Sequence, residues 1–236
     1  MKPFKFKQFT IHQDRCAMKV GTDGVLLGAV VSLKKSPNSI LDVGAGTGLV
    51  ALMLAQRSSA QNIDAIELDE SAYEQCVENF EDSPWADRLF CYHASFQEFY
   101  EEMDERYDLI VSNPPFHSET VTSGSSSRDN ARQNRALPFG LLVRGVHQLL
   151  SKEGTFCVVL PLSEEERTLN MAREKGLFPF HILRVRGNTG VPLKRSIVQF
   201  SFLDKRISEE ELVIEVERHQ FTEEYINLTK DFYIKM

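Results

Sequence analysis

The 236-residue sequence has no apolar run near the ~20 residues that a membrane-spanning helix needs. Its basic start, Met1-Lys2-Pro3-Phe4-Lys5, lacks the apolar stretch of a secretory signal, so a cytosolic protein is expected. The four cysteines, Cys16, Cys76, Cys91 and Cys157, are widely spaced and form neither a CxxC pair nor a Cys/His cluster. That spacing argues against a structural zinc and for reduced, mostly buried thiols, and no metal is expected. No repeat of solenoid length occurs, and low complexity is confined to Thr122-Ser123-Gly124-Ser125-Ser126-Ser127. With 42% hydrophobic and 26% charged residues the composition excludes a collagenous or wholly disordered chain. At 26.9 kDa folding can bury roughly 70–75% of the extended surface. One domain spanning 1–236 is the expectation.

Positive charge is also scarce, the net charge being −7, but it is unevenly spread. Residues 1–35 carry +5, residues 36–120 carry −14, residues 121–200 carry +6 and residues 201–236 carry −4. Two basic segments thus flank an acidic one. On charge alone, a solvated surface without a partner remains open.

Short runs rich in Ile, Val and Phe occur at 40–43, 63–68, 107–112, 155–160, 180–185 and 196–203, with a weaker one at 89–93. Helical spacing fills the gaps, as at 48–57 and 138–150. Ser71 and Ser163 are expected as helix N-caps, the latter in a capping box with Glu166. Such alternation predicts an α/β fold with a mainly parallel sheet covered on both faces. Ligands of these sheets bind at the strands' carboxyl ends.

At one such end, Ile40-Leu41-Asp42-Val43 runs into Gly44-Ala45-Gly46-Thr47-Gly48-Leu49. Glycines let the backbone take positive φ and let a ligand approach the main chain. A dinucleotide fingerprint requires a sixth-position glycine, where Leu49 stands, so the NAD reading loses ground; a tight turn without a ligand stays open. The next run ends in Glu67, a carboxylate suited to accepting both hydroxyl protons of a ribose. Glycine loop and acidic strand end together resemble the cofactor half of the class I S-adenosylmethionine-dependent methyltransferases. That resemblance implies a Rossmann-like fold: a mostly parallel, seven-stranded twisted sheet with one antiparallel strand near the C-terminus. It implies S-adenosylmethionine as cofactor, with residues 36–120 as the cofactor half and 121–236 as the substrate side. It also sets Asp42 near the methionine end, although bonding to the loop's backbone is an equal reading. The family's acidic residue near the adenine amine corresponds here to Ser95, a departure that puts this contact in doubt.

The run Tyr107–Ser112 ends directly in Asn113-Pro114-Pro115-Phe116, where two prolines stiffen the turn. This tetrapeptide resembles the [DNS]PP[YFW] motif of methyltransferases that act on planar amines. The nitrogen lone pair of such an amine is delocalised, so catalysis needs acceptors more than a strong base. The Asn113 side-chain oxygen and the Pro114 carbonyl can each take one amine hydrogen, Pro115 holds the turn, and Phe116 can stack on the planar face.

The N-terminal stretch Phe6-Lys7-Gln8-Phe9 and Asp14-Arg15-Cys16-Ala17-Met18-Lys19-Val20-Gly21-Thr22-Asp23-Gly24 resembles the bacterial tRNA(Val) adenine-37 N6-methyltransferases. The similarity continues through Ser83-Pro84-Trp85-Ala86 and Phe156-Cys157-Val158-Val159-Leu160-Pro161 to Phe232-Tyr233. It implies a tRNA partner and places Thr22 and Asp23 beside the methionine end of the cofactor; an N-capping role suits either equally. Candidate phosphate contacts are Lys5, Lys7, Arg15, Arg128, Arg132, Arg135, Lys194 and Arg195. A monomer is expected, with a dimer left open. The competing readings are the same chemistry on a release-factor glutamine amide or on guanine N2 of ribosomal RNA, and a non-catalytic RNA-binding module.

Overall fold

A computed structural model describes residues 2–115 and 137–235. A small antiparallel hairpin, β1 (Phe4–Lys5) with β2 (Thr10–Ile11), precedes the first helix, α1 (Thr22–Val30). Alternating units follow: β3 (Ser39–Val43), α2 (Leu49–Arg57), β4 (Asn62–Glu67), α3 (Glu70–Glu81), β5 (Leu89–His93), α4 (Phe96–Glu102) and β6 (Tyr107–Ser112). Beyond the Asn113-Pro114-Pro115 turn come α5 (Phe139–Leu149), β7 (Leu150–Pro161), α6 (Glu165–Glu174), β8 (Phe178–Asn188) and β9 (Arg195–Ser201). The chain closes with β10 (Ser208–Glu217), β11 (Gln220–Phe221) and α7 (Glu223–Thr229).

Among the described residues the main sheet has nine strands in the order β11-β10-β8-β9-β7-β6-β3-β4-β5. The five strands from β7 to β5 are mutually parallel. β9 runs antiparallel between β7 and β8, so its first residue, Arg195, sits opposite Pro161 at the carboxyl ends of the parallel strands. This is the Rossmann-like class I architecture, with its antiparallel strand toward the C-terminus, widened by two strands at one edge.

The period of two along each central strand divides the core into two layers. Ile40, Leu109, Val111, Cys157 and Val159 face α1, α2 and α3, whereas Leu41, Val43, Ile110, Phe156, Val158 and Leu160 face α4, α5 and α6. These side chains are almost fully excluded from water, each worth ~1.5–3 kcal/mol of transfer free energy. Helix α1 is buried from Gly24 through Ala29 because it packs against α2, β7 and α7.

Both expected serine caps are corrected. Asp69, not Ser71, caps α3, its carboxylate accepting from the Ala72 amide at 3.0 Å; a shift of two residues in where the helix begins decides which side chain reaches back. Ser163 lies within a short 3₁₀ turn over Leu162–Glu164, and α6 begins only at Glu165 without a side-chain cap. The two extra strands also went unread, because β10 reads Ser-Glu-Glu-Glu before its first apolar residue, Leu212.

Candidate active site

The carboxyl ends of β3, β4 and β6 are neighbours, and three loops converge there. The amides of Gly44 and Ala45 donate to the Ile66 carbonyl at 2.9 and 3.0 Å, which ties the glycine loop to β4. Gly48 closes the loop in the left-handed region, φ 77°, and starts α2; a Cβ there would lie 2.5 Å from Phe80 and 2.9 Å from the Cys76 sulfur. Only glycine satisfies both demands. At Gly44 and Gly46, also at positive φ, a Cβ would meet no atom within 4 Å. The loop therefore presents bare backbone to open space, the shape that a large ligand lying across it requires.

Carboxylates brace this cradle from two sides. Asp42 is buried and accepts from the Ala51 amide in the first turn of α2 at 3.1 Å. Burial pushes its carboxyl up to about 7, Ala51 opposes the shift and Glu67 adds to it. The structure thus shows Asp42 bonding to the backbone of α2 rather than to that of the glycine loop. Glu67 accepts from Gly46 at 2.8 Å through one oxygen and from Asp69 at 2.8 Å through the other. Each carboxylate oxygen keeps a further lone pair, so these bonds orient Glu67 while leaving acceptor capacity toward a ribose.

β6 delivers the Asn113-Pro114-Pro115 turn beside the cradle. The Ser112 hydroxyl donates to the Val43 carbonyl at 2.8 Å, pinning the two strand ends together. Asn113 follows half-buried and Pro114 buried. A Cβ on Gly24 would lie 3.7 Å from Asn113 Nδ2 and 3.2 Å from Leu49, so the first turn of α1 rests against both Asn113 and the start of α2. Phe116, Arg128, Arg132 and Arg135 lie outside the described residues.

Thr22 and Asp23 open α1 at the same place. Neither caps it: the N-cap is Gly21, in extended conformation and without a side-chain bond. Asp23 instead accepts from Arg195 Nε at 2.8 Å. Ser95 sits past the end of β5 as the N-cap of α4 in a full capping box, its hydroxyl donating to Glu98 at 2.7 Å and accepting from the Glu98 amide at 3.2 Å. The hydroxyl is committed to the helix, which explains why serine stands there.

The candidate phosphate contacts separate. Lys7 donates to the Lys230 carbonyl at 2.5 Å and its amide to Phe232, while Gln56 in the last turn of α2 donates to Asp231. Because α2 runs back from the carboxyl ends, Lys5 and Lys7 lie at the opposite end of the sheet from Asn113. Arg15 pairs with Glu74 at 3.1 Å and with Glu78. Lys194 is exposed at the catalytic end, where its amide donates to Val185 and its carbonyl accepts from Leu162, both at 3.0 Å.

A strap over residues 12–20 completes the cofactor side and was not foreseen. Asn79, fully buried, accepts from the His12 amide at 2.8 Å and donates at 2.9 Å both to the His12 carbonyl and to the Thr47 carbonyl inside the glycine loop. One turn earlier, Gln75 accepts from the Arg15 amide at 3.1 Å. Within the strap, Lys19 donates to the Gln13 carbonyl at 2.6 Å and the Cys16 carbonyl at 2.5 Å. Burial, followed by nearby Glu67, raises the Cys16 thiol to about 11, keeping it uncharged beside the cradle. The available signal was two amide side chains, Gln75 and Asn79, at i and i+4 on a helix face otherwise made of Ala72, Cys76 and Phe80.

Similarity to known proteins agrees with this geometry. A family model described as methyltransferase small domain matches residues 20–161. The tRNA1(Val) (adenine(37)-N6)-methyltransferase of Christiangramia forsetii is 56% identical over 237 residues, covering 100% of this chain and 99% of that protein. The protein of the same name from Bacteroides fragilis is 46% identical over 234 residues, covering 99% of this chain and 98% of its own length. Among solved structures, a predicted O-methyltransferase from Agrobacterium tumefaciens superposes with a TM-score of 0.69 at 17% identity, over 89% of this chain and 96% of that one, a likeness of fold alone. Glycine cradle, acidic strand end, Asn-Pro-Pro turn and full-length similarity converge: the chain belongs to the methyltransferase small domain family and, within it, to the tRNA1(Val) (adenine(37)-N6)-methyltransferases.

Proposed function

We propose that the protein methylates N6 of adenosine 37 in a valine tRNA, using S-adenosylmethionine. The observation that carries this reading is the position of Asn113-Pro114, immediately beyond Ser112 and one strand away from the glycine cradle. The cradle fits the cofactor by its bare backbone at Gly44 and Gly46 and by the oriented carboxylate of Glu67. Thr22, Asp23, Asp42, Gly48 and Ser95 shape or border that site rather than each contacting the ligand through a side chain. When bound, S-adenosylmethionine supplies an electrophilic methyl group.

Chemistry at the amine falls to the turn. The Asn113 side-chain oxygen and the Pro114 carbonyl each accept one N6 hydrogen, which fixes the amine plane and directs the nitrogen lone pair. As positive charge develops on nitrogen, both hydrogen bonds strengthen, and that difference is transition-state stabilisation. The two prolines keep the acceptors from relaxing away. Phe116, next in sequence, offers an aromatic ring suited to a purine face, a contact worth ~1–3 kcal/mol. Adenosine 37 lies in an unpaired loop, so turning it out costs less than it would from a duplex.

Incubation of the purified protein with labelled cofactor and unmodified total tRNA, followed by nucleoside mass spectrometry, tests the reading. N6-methyladenosine in valine tRNA is the expected product. N2-methylguanosine, or label in protein alone, transfers the chemistry to another acceptor.

A further inference from the structure

Arg195 stands among exposed basic residues in the sequence, yet its guanidinium is engaged. Nε donates to Asp23 at 2.8 Å and Nη1 to the Lys194 carbonyl at 3.2 Å, with both partners of the ion pair about one-third exposed. The pair joins positions 172 residues apart: the start of the antiparallel strand β9 and the first turn of α1. Asp23 also sits at a helix N-terminus, where its negative charge is favourable. The residue after it, Gly24, packs against Asn113 and Leu49.

We propose that Arg195 is a positioning residue: through Asp23 it holds the first turn of α1 against Asn113 and the start of α2, and it is not a phosphate contact. A guanidinium whose charge is already balanced by a carboxylate attracts phosphate weakly, and its Nε–H is unavailable for a bidentate grip. A short charge-assisted bond from a sheet strand is, by contrast, well suited to fixing a helix terminus within the few tenths of an ångström that in-line transfer demands. The inference rests on the tRNA reading for its kinetic arm and on cofactor binding alone for its second arm.

The test compares wild type with Arg195→Ala and Arg195→Lys in three measurements: calorimetric binding of S-adenosylhomocysteine, steady-state methylation of unmodified valine tRNA, and tRNA binding as a function of salt. Arg195→Ala is expected to lower kcat about tenfold and weaken S-adenosylhomocysteine several-fold, with tRNA affinity and its salt slope unchanged. Arg195→Lys keeps the charge without the fixed Nε direction and recovers part of both losses; it also covers failure of the alanine variant to fold. Weaker tRNA binding with a shallower salt slope and unchanged kcat would overturn the proposal in favour of a phosphate contact. A lowered melting temperature with all three measurements unchanged would reduce the pair to a structural one and overturn it equally. If wild type binds S-adenosylhomocysteine but modifies no tRNA, the substrate reading fails while the binding arm still decides the role of Arg195.

Discussion

Asn113 offers a sharp separation of binding from chemistry. Its oxygen is assigned to the amine, and its Nδ2 lies near Gly24 of α1. By comparison with removal of a single oxyanion-hole donor, Asn113→Ala is expected to cost about 3 kcal/mol in the transition state, a hundredfold or more in kcat. Calorimetry with S-adenosylhomocysteine should find affinity within a few-fold of wild type; an unchanged kcat would remove Asn113 from the mechanism. Asp42 makes a different prediction. Because burial raises its carboxyl to about 7 in the folded protein, against ~3.9 in the unfolded chain, the native state holds a proton that the unfolded state releases. Its contribution is fully present in acid and declines as pH rises from about 4 to about 7. Asp42→Asn lacks this titration, so its stability relative to wild type should improve between about pH 4 and about pH 7 in urea unfolding. A constant difference would mean that Asp42 titrates normally. These residues were legible as a site because Asp42, Glu67 and Asn113 each stand within one residue of the end of an apolar run. What spacing could not reveal is that Asp42 turns to Ala51, or that Ser95 is consumed by Glu98: both depend on which partner the folded backbone brings within reach.

The glycine loop and the strap that covers it respond differently to substitution. Gly48→Ala must place a methyl group against Phe80 at positive φ, and about 2 kcal/mol or more of destabilisation is expected, a fall in melting temperature of roughly 5 °C or more. Gly46→Ala incurs the backbone strain without a clash, so its main effect should be at least tenfold weaker S-adenosylhomocysteine binding. Equal effects of the two substitutions on stability and on binding would contradict this division. The strap was invisible beforehand because Asn79 grips main-chain groups at 12 and 47, and a backbone partner carries no residue code. Strand β10 was missed for a related reason. Beside its parallel ladder with β8 it pairs Glu209 with Arg184 and Glu211 with Arg186, so charges occupy positions that an apolar alternation would otherwise mark.

Over the whole molecule, net charge opposes association with RNA, and the described basic residues do not form one patch. Lys194 is exposed at the catalytic end, Arg15 is paired with glutamates, and Lys5 and Lys7 lie at the far end. Where lysines and arginines neutralise tRNA phosphates, log affinity should fall against log salt by about 0.7–0.9 per phosphate neutralised. Filter binding across a salt series measures the slope; a flat response would exclude phosphate contacts as the main source of affinity. The parallel core was legible because its strands are continuous Ile/Val/Leu runs between helical segments, which is how doubly covered strands read. Spatial order was not, since β9 enters the sheet between two strands made before it. That insertion bears on synthesis at the ribosome. While the polypeptide is still emerging, β7 is ready to dock on β6, but its outer edge offers bare amides and carbonyls until residue 201 has left the tunnel. A translational pause within the 189–194 connection would thus prolong the exposure of a sticky template.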